Sequence, residues 1–157
     1  ESNVYSGSGV CYGTPAESVF KLCDEGVIPI LEIDYHGVGQ LKADTRLHGY
    51  EIKTIFLVAD PEVLCHRMQK RMRESGKKED MISRLEAAID EAAHISSLYD
   101  CVFYNDDVNA TIKKIERFLY GQGVKSDYFD FENFKKKMVE MISGLKDLEC
   151  EKKYQRE

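Results

Sequence analysis

Apolar positions along this chain change period several times, and each change marks a new element. The first fifteen residues are rich in Gly, Ser and Tyr and read as strand and loop. From Ala16 to Glu25, Val19, Phe20, Leu22 and Cys23 share one helical face, and Gly26 follows as a stop. Val27 to Ile33 is then a nearly continuous apolar run, the pattern of a buried parallel strand. Pro29 removes one ladder donor, so pairing is expected from about Ile30. Gly37 to Ala43 suits a brief helix, and Arg46 to Tyr50 reads as loop. Ile52 to Val58, β-branched and aromatic, predicts a second strand.

Asp60-Pro61-Glu62 predicts a helix start, with Asp as N-cap and Pro at the first helical position, running to about Glu74. Glu74 to Asp80 is polar and reads as mobile. Ile82, Leu85, Ile89, Ala92 and Ala93 keep helical spacing within a segment from Met81 to Ser97. Cys101 to Tyr104 predicts a third short strand, and Asn105-Asp106-Asp107 turns the chain into a helix with Val108, Ile112, Ile115 and Leu119 on one side. Strands and helices alternating over such short connections predict an α/β layered domain. Gly121 to Ser126 reads as a linker. Beyond it Phe134, Met138, Met141, Leu145 and Leu148 form a seam like that of a coiled coil, predicting one more helix.

Composition narrows the function classes. The 157 residues fit one domain, with room for an appendage. A formal charge of −6 gives no general attraction to nucleic acid or to an anionic membrane, and no apolar run is long enough to span one. Basic residues concentrate locally between Arg67 and Lys78. The beginning of the chain lacks the features of a signal peptide. Cys11, Cys23, Cys65, Cys101 and Cys150 are scattered, without the paired spacing of a zinc site or disulfide framework. That usage points to reduced, structural thiols in a cytoplasmic protein.

Several residues have the chemistry of a phosphate or nucleotide site. Tyr12 and Thr14, in the run Tyr12-Gly13-Thr14-Pro15, carry hydroxyls that donate to anionic or carbonyl oxygen without adding charge; the same run also serves as a turn. Asp34 closes Leu31-Glu32-Ile33-Asp34 just past a predicted strand, where open parallel sheets place ligand groups, although a carboxylate there also caps a loop. Arg67 and Arg71 lie one helical turn apart, and Arg84 opens the next helix. Guanidinium groups neutralise charge on transferring phosphoryl oxygens better than hydrated ammonium groups do. Asn105-Asp106-Asp107 is an Asx turn in its plainest reading.

Taken in order, these pieces resemble the second half of a guanylate kinase, the family that moves a phosphoryl group from ATP to GMP. The resemblance covers about Glu1 to Tyr120. It implies an α/β fold with a parallel sheet of P-loop nucleoside-monophosphate-kinase type, incomplete at its N-terminus, with a C-terminal helical extension. The implied layout is a partial kinase-like domain over 1–120, a linker over 121–126 and the extension over 127–157. Within the first lie a GMP-site remnant over 1–15 and a lid near 73–81. On the same footing, Glu1, Tyr12, Thr14 and Asp34 serve GMP or dGMP, with Glu1 reading the guanine edge. Arg67, Arg71, Arg84 and Asn105 serve ATP, with Arg71 and Arg84 acting catalytically and Asn105 approaching the adenine. Mg²⁺ accompanies ATP, and no metal-ligating residue is implied here.

The chain departs from the family pattern in places. Val10 and Cys11 replace an Asn and a Tyr, Glu32 stands at the first acid of a D-I-D motif, His36 replaces a Gln, and Met72 replaces a Gly. No G-x-x-x-x-G-K-[ST] loop occurs, so the chain is expected to be inactive alone. A non-catalytic interaction module of the same fold and a sister kinase for another phosphate acceptor remain open readings. Helix 130–148 also offers a surface for self-association.

Overall fold

The computed structural model describes residues 2–4, 11–76 and 80–154, with side chains described from Gly13 to Leu148 within those ranges. The chain divides into two compact units, 1–52 and 53–157.

In the first unit β1 (Ser2–Val4) and β2 (Cys11–Gly13) pair antiparallel, with Asn3 opposite Tyr12. Helix α1 (Ala16–Asp24) places Val19, Phe20 and Cys23 on its half-buried side, as its spacing predicts. It ends in a left-handed turn at Gly26 (φ 73°), where the Gly26 and Val27 amides donate to the Cys23 and Leu22 carbonyls. Only glycine takes this conformation without a Cβ penalty, which is why the stop is legible in sequence.

The apolar run Val27 to Ile33 forms no strand. Val27, Ile28 and Ile30 are exposed, and no described strand bonds to the segment. An apolar run becomes a strand only when another backbone accepts its amides, and Pro29 withholds one of those donors. Helix α2 (Tyr35–Ala43) starts two residues earlier than its pattern suggests, and a 3-10 turn, Thr45–Leu47, overlaps the start of the expected loop. Val38 and Leu47 are buried in this unit, and the Phe20 ring lies 6.0 Å from that of Tyr50.

The second unit is built on two parallel strands, β3 (Ile55–Val58) and β4 (Cys101–Tyr104), in register from Ile55–Cys101 to Val58–Tyr104. Alternation along each strand separates two faces. Val58 and Val102 point into a core shared with Cys65 and Met68 of α3 (Pro61–Ser75) and Leu85 and Ala92 of α4 (Met81–Ala93). Ile95 of α5 (Ile95–Leu98) completes that side together with Phe134, Met138 and Ile142 of α7 (Phe131–Tyr154). On the other face the fully buried Phe103 meets Phe118 of α6 (Val108–Leu119) edge to face at 6.1 Å. Leu85, Phe103 and Met138, all fully buried, each stabilise the unit by roughly 1.5–3 kcal/mol.

Local starts and stops explain the helices. Asp80 and Asp107 cap α4 and α6 by accepting from the Ser83 and Ala110 amides. Asp60 occupies the N-cap position of α3 but makes no side-chain cap bond, so Pro61 sets that start. The helix expected over 81–97 breaks at His94, where the His94 amide shifts to the Glu91 carbonyl and α5 begins. Lys53 closes the end of α6 by donating from Nζ to the Leu119 carbonyl at 2.8 Å. The buried line of α6 differs from the expected one: Val108 and Ile112 are exposed, while Thr111 is buried.

The segment expected as a linker does more than connect. Val102 donates its amide to Ser126 Oγ (2.9 Å), Asp127 donates its amide to the Val102 carbonyl (2.8 Å), and Tyr104 donates its amide to Asp127 Oδ2 (2.9 Å). The Cys101 and Asn105 amides go instead to the Thr54 and Val58 carbonyls beside β3. Residues 126–127 thus pair along the outer side of β4, using side-chain oxygens where a strand would use carbonyls. The following α7 lies against α4 within the same unit, and its expected seam is spent there. The buried residues are Phe134, Met138 and Ile142, with Leu148 exposed, because a straight helix of 3.6 residues per turn drifts off a strict heptad stripe.

Candidate nucleotide site

The candidate residues fall into both units. In the first, Glu1 lies outside the described residues; the Tyr12 backbone is in β2, and its side chain also lies outside them. Thr14 leaves β2 half-buried. Asp34 is half-buried at the start of α2, where Oδ1 accepts from the Gly37 amide at 2.8 Å. Its cap role, one of the two readings open in sequence, is therefore filled. Glu32 is exposed, and so is His36, whose ring stacks on Tyr35 at 3.9 Å.

Arg46, a cation of this unit, is committed to Asp44: Nε and Nη2 reach the carboxylate at 2.9 and 2.5 Å. The Asp44 pKa is drawn down to about 2, chiefly by that side-chain hydrogen bond and then by the Arg46 amide. The same guanidinium sits 5.7 Å above the Phe20 ring. This is a structural clasp, and sequence reading did not single it out.

In the second unit, Arg67 and Arg71 stand one turn apart on α3. Arg67 is half-buried and donates from Nη2 to the Asn105 carbonyl at 2.6 Å and, at a longer 3.4 Å, to that of Asp106. Two candidates far apart in sequence, Arg67 and Asn105, are thereby brought into contact. Arg71 is exposed, five residues before α3 closes at the left-handed Gly76 (φ 66°). Of the expected lid near 73–81, residues 77–79 lie outside the described residues. Arg84 is exposed in the first turns of α4, its amide donating to the Asp80 carbonyl. The Ser83 hydroxyl and amide, both bonded to the Asp80 carboxylate, hold that acid below its ordinary range.

Asn105 follows β4 directly, at the carboxyl end of the parallel pair, where open α/β sheets bind ligands. The surroundings are acidic. Burial pushes the Tyr104 phenol up, and Asp60, Asp106, Asp127 and Asp130 push it further. Arg67 supplies positive charge beside this group of acids. On the outer side Lys114 Nζ lies 2.7 Å from Asp127 Oδ2 and 2.9 Å from Oδ1. Burial alone would raise Asp127, but the Lys114 hydrogen bond and the Tyr104 amide outweigh it and hold the carboxyl below its ordinary value. Ser126, Asp127 and Lys114 support the Asn105 turn; sequence reading missed Ser126 and Asp127 because they bond backbone groups more than twenty residues away, and Lys114 because its partner is Asp127.

Among the described residues no group of three or more His, Cys, Asp or Glu side chains is placed to hold a metal ion. No described helix is long and apolar enough to cross a membrane.

Comparison with known proteins gives the family. A family model described as guanylate kinase matches residues 3–122. The guanylate kinase of Clostridium perfringens (strain 13 / Type A) is 34% identical over 139 residues, covering 88% of this chain and 62% of that protein. That of Rickettsia prowazekii (strain Madrid E) is 31% identical over 115 residues, covering 73% of this chain and 55% of that protein. The guanylate kinase of Blochmanniella floridana is 29% identical over 124 residues, 78% of this chain and 55% of the relative. The chain thus spans little more than half the length of the relatives it matches. No solved structure gives a significant match. The family match runs from β1 through α6 and takes in the Asp34 cap, the α3 arginines and the Asn105 turn, so the chain belongs to the guanylate kinase family.

Proposed function

We propose that these residues form the acceptor side and the ATP-lid side of an ATP-dependent guanylate kinase, which converts GMP and ATP to GDP and ADP. The observation that carries the reading is the Asn105 turn, seated at the carboxyl end of a parallel strand pair and joined to the arginine-bearing helix α3. On the ATP side Asn105 faces the base, while Arg71 and Arg84 neutralise charge spreading over the transferring phosphoryl oxygens. Planar guanidinium groups suit that task because their fork matches two oxygens at once. On the acceptor side Glu1, Tyr12, Thr14 and Asp34 receive GMP, a carboxylate being able to accept from both N1–H and the 2-amino group of guanine. Magnesium comes with ATP as part of the substrate, and no step is assigned to it through this chain.

Binding tests the reading on the 157 residues themselves. Titrations of ¹⁵N-labelled chain with GMP, AMP, CMP and UMP should move the Thr14 and Asp34 amides most strongly with GMP. ATP should move Asn105 and the α3 and α4 arginine side chains. Stronger binding of another monophosphate, or ATP shifts confined to other surfaces, overturns the assignment.

A further inference from the structure

The guanidinium of Arg67 reaches from α3 into the backbone after β4. Its Nη2 donates to the Asn105 carbonyl at 2.6 Å, a short, charge-assisted bond, and lies 3.4 Å from the Asp106 carbonyl. The Asn105 amide is held from the other direction by the Val58 carbonyl at 2.8 Å, and the preceding Tyr104 amide by Asp127. The turn is therefore pinned from β3, from the outer strap and from α3. Of these three pins, only Arg67 belongs to the helix that also carries Arg71.

We propose that Arg67 is a positioning residue for the Asn105 turn and not a phosphate ligand, so that α3 couples the base side of the ATP site to its phosphate side. The proposal rests on the ATP-side reading above. Withdrawing this half-buried guanidinium breaks a charge-assisted bond and leaves the half-buried Asn105 carbonyl without that donor. Movement of α3 in response to phosphates at Arg71 would therefore drag the Asn105 backbone with it. Lysine at this position keeps one donor for the Asn105 carbonyl but loses the fork.

The test compares Arg67→Gln, Arg67→Lys and Arg71→Gln in the full 157-residue chain, with ATP and inorganic triphosphate as probes and amide hydrogen exchange as a readout independent of binding. In Arg67→Gln the Asn105 amide should exchange about tenfold faster while Phe103 and Leu85 are unchanged, with Arg67→Lys intermediate. ATP affinity should fall about tenfold in Arg67→Gln with triphosphate affinity intact, whereas Arg71→Gln weakens both. Equal loss of ATP and triphosphate in Arg67→Gln makes Arg67 a phosphate ligand and overturns the proposal. Unchanged exchange at Asn105 also overturns it, as does acceleration just as large at Phe103 and Leu85. If the unaltered chain binds neither probe, the ATP-side reading fails, and the exchange measurements alone decide whether Arg67 holds the turn.

Discussion

Arg84 and Asp127 show how differently two charged residues of one unit earn their place. Arg84 is exposed, so its charge contributes little to folding, and its value under the proposed function lies in the geometry of its fork. Measured in an active enzyme that carries these residues, Arg84→Lys should lower kcat about tenfold or more while KM for GMP stays within about twofold, because the point charge survives and the planar donor pair does not. Equal losses in both would argue against a transition-state role. Asp127 is a folding residue. Its carboxyl is held below the ordinary 3.8, so its stabilising effect is complete above that value and disappears as pH falls through the lower, folded-state value. Urea midpoints of the unaltered chain should therefore drop below about pH 4, and Asp127→Asn should show a smaller acid-dependent drop from a lower neutral-pH starting point. An identical pH profile in both would remove Asp127 from the account.

At the scale of elements, α7 provides the cleanest contrast. Met138 is fully buried against the core, whereas Leu148, in the same expected seam, is half exposed. Met138→Ala should destabilise the second unit by about 2–5 kcal/mol, and Leu148→Ala by no more than about 0.5 kcal/mol, in urea melts followed by circular dichroism. Comparable effects would mean that α7 does not pack where the structure places it. The same contrast shows what sequence can reveal. Helix starts after Asp80 and Asp107 and the stop at Gly26 depend on neighbours within a few residues, so they are legible, as is the β4 run. The fate of Val27 to Ile33 depends on a partner strand, and no local pattern supplies one. The pairing of Ser126 and Asp127 with β4 is hidden for a related reason: a serine and an aspartate in a polar stretch look the same whether they face water or a strand. For the candidate site, residue types were readable at Arg67 and Asn105, but their contact passes through a backbone carbonyl and leaves no trace in side-chain identity.

For the molecule as a whole, the two units differ in how much they bury. Among the described residues, Val38 and Leu47 are the buried hydrophobic side chains of 1–52, while the rest, from Val58 to Ile142, belong to 53–157. Ordering a backbone costs about 1–2 kcal/mol per residue, which two buried aliphatic side chains do not offset over fifty residues. Residues 53–157 produced alone should melt cooperatively, and residues 1–52 alone should show no cooperative transition by circular dichroism; the reverse pattern would contradict the packing described. The strap along β4 has one more consequence, outside the single chain. Two of the acceptors that occupy the Val102 and Tyr104 amides are side-chain oxygens, and one of them takes up a proton in acid. Once Asp127 is protonated, Lys114 loses its counter-charge and the rim of the sheet becomes a bare template on which another molecule can add a strand. Acidified solutions should then scatter light and bind thioflavin. Asp127→Ala should do the same near neutral pH, at concentrations where the unaltered chain stays clear, making one carboxylate a safeguard against fibrils.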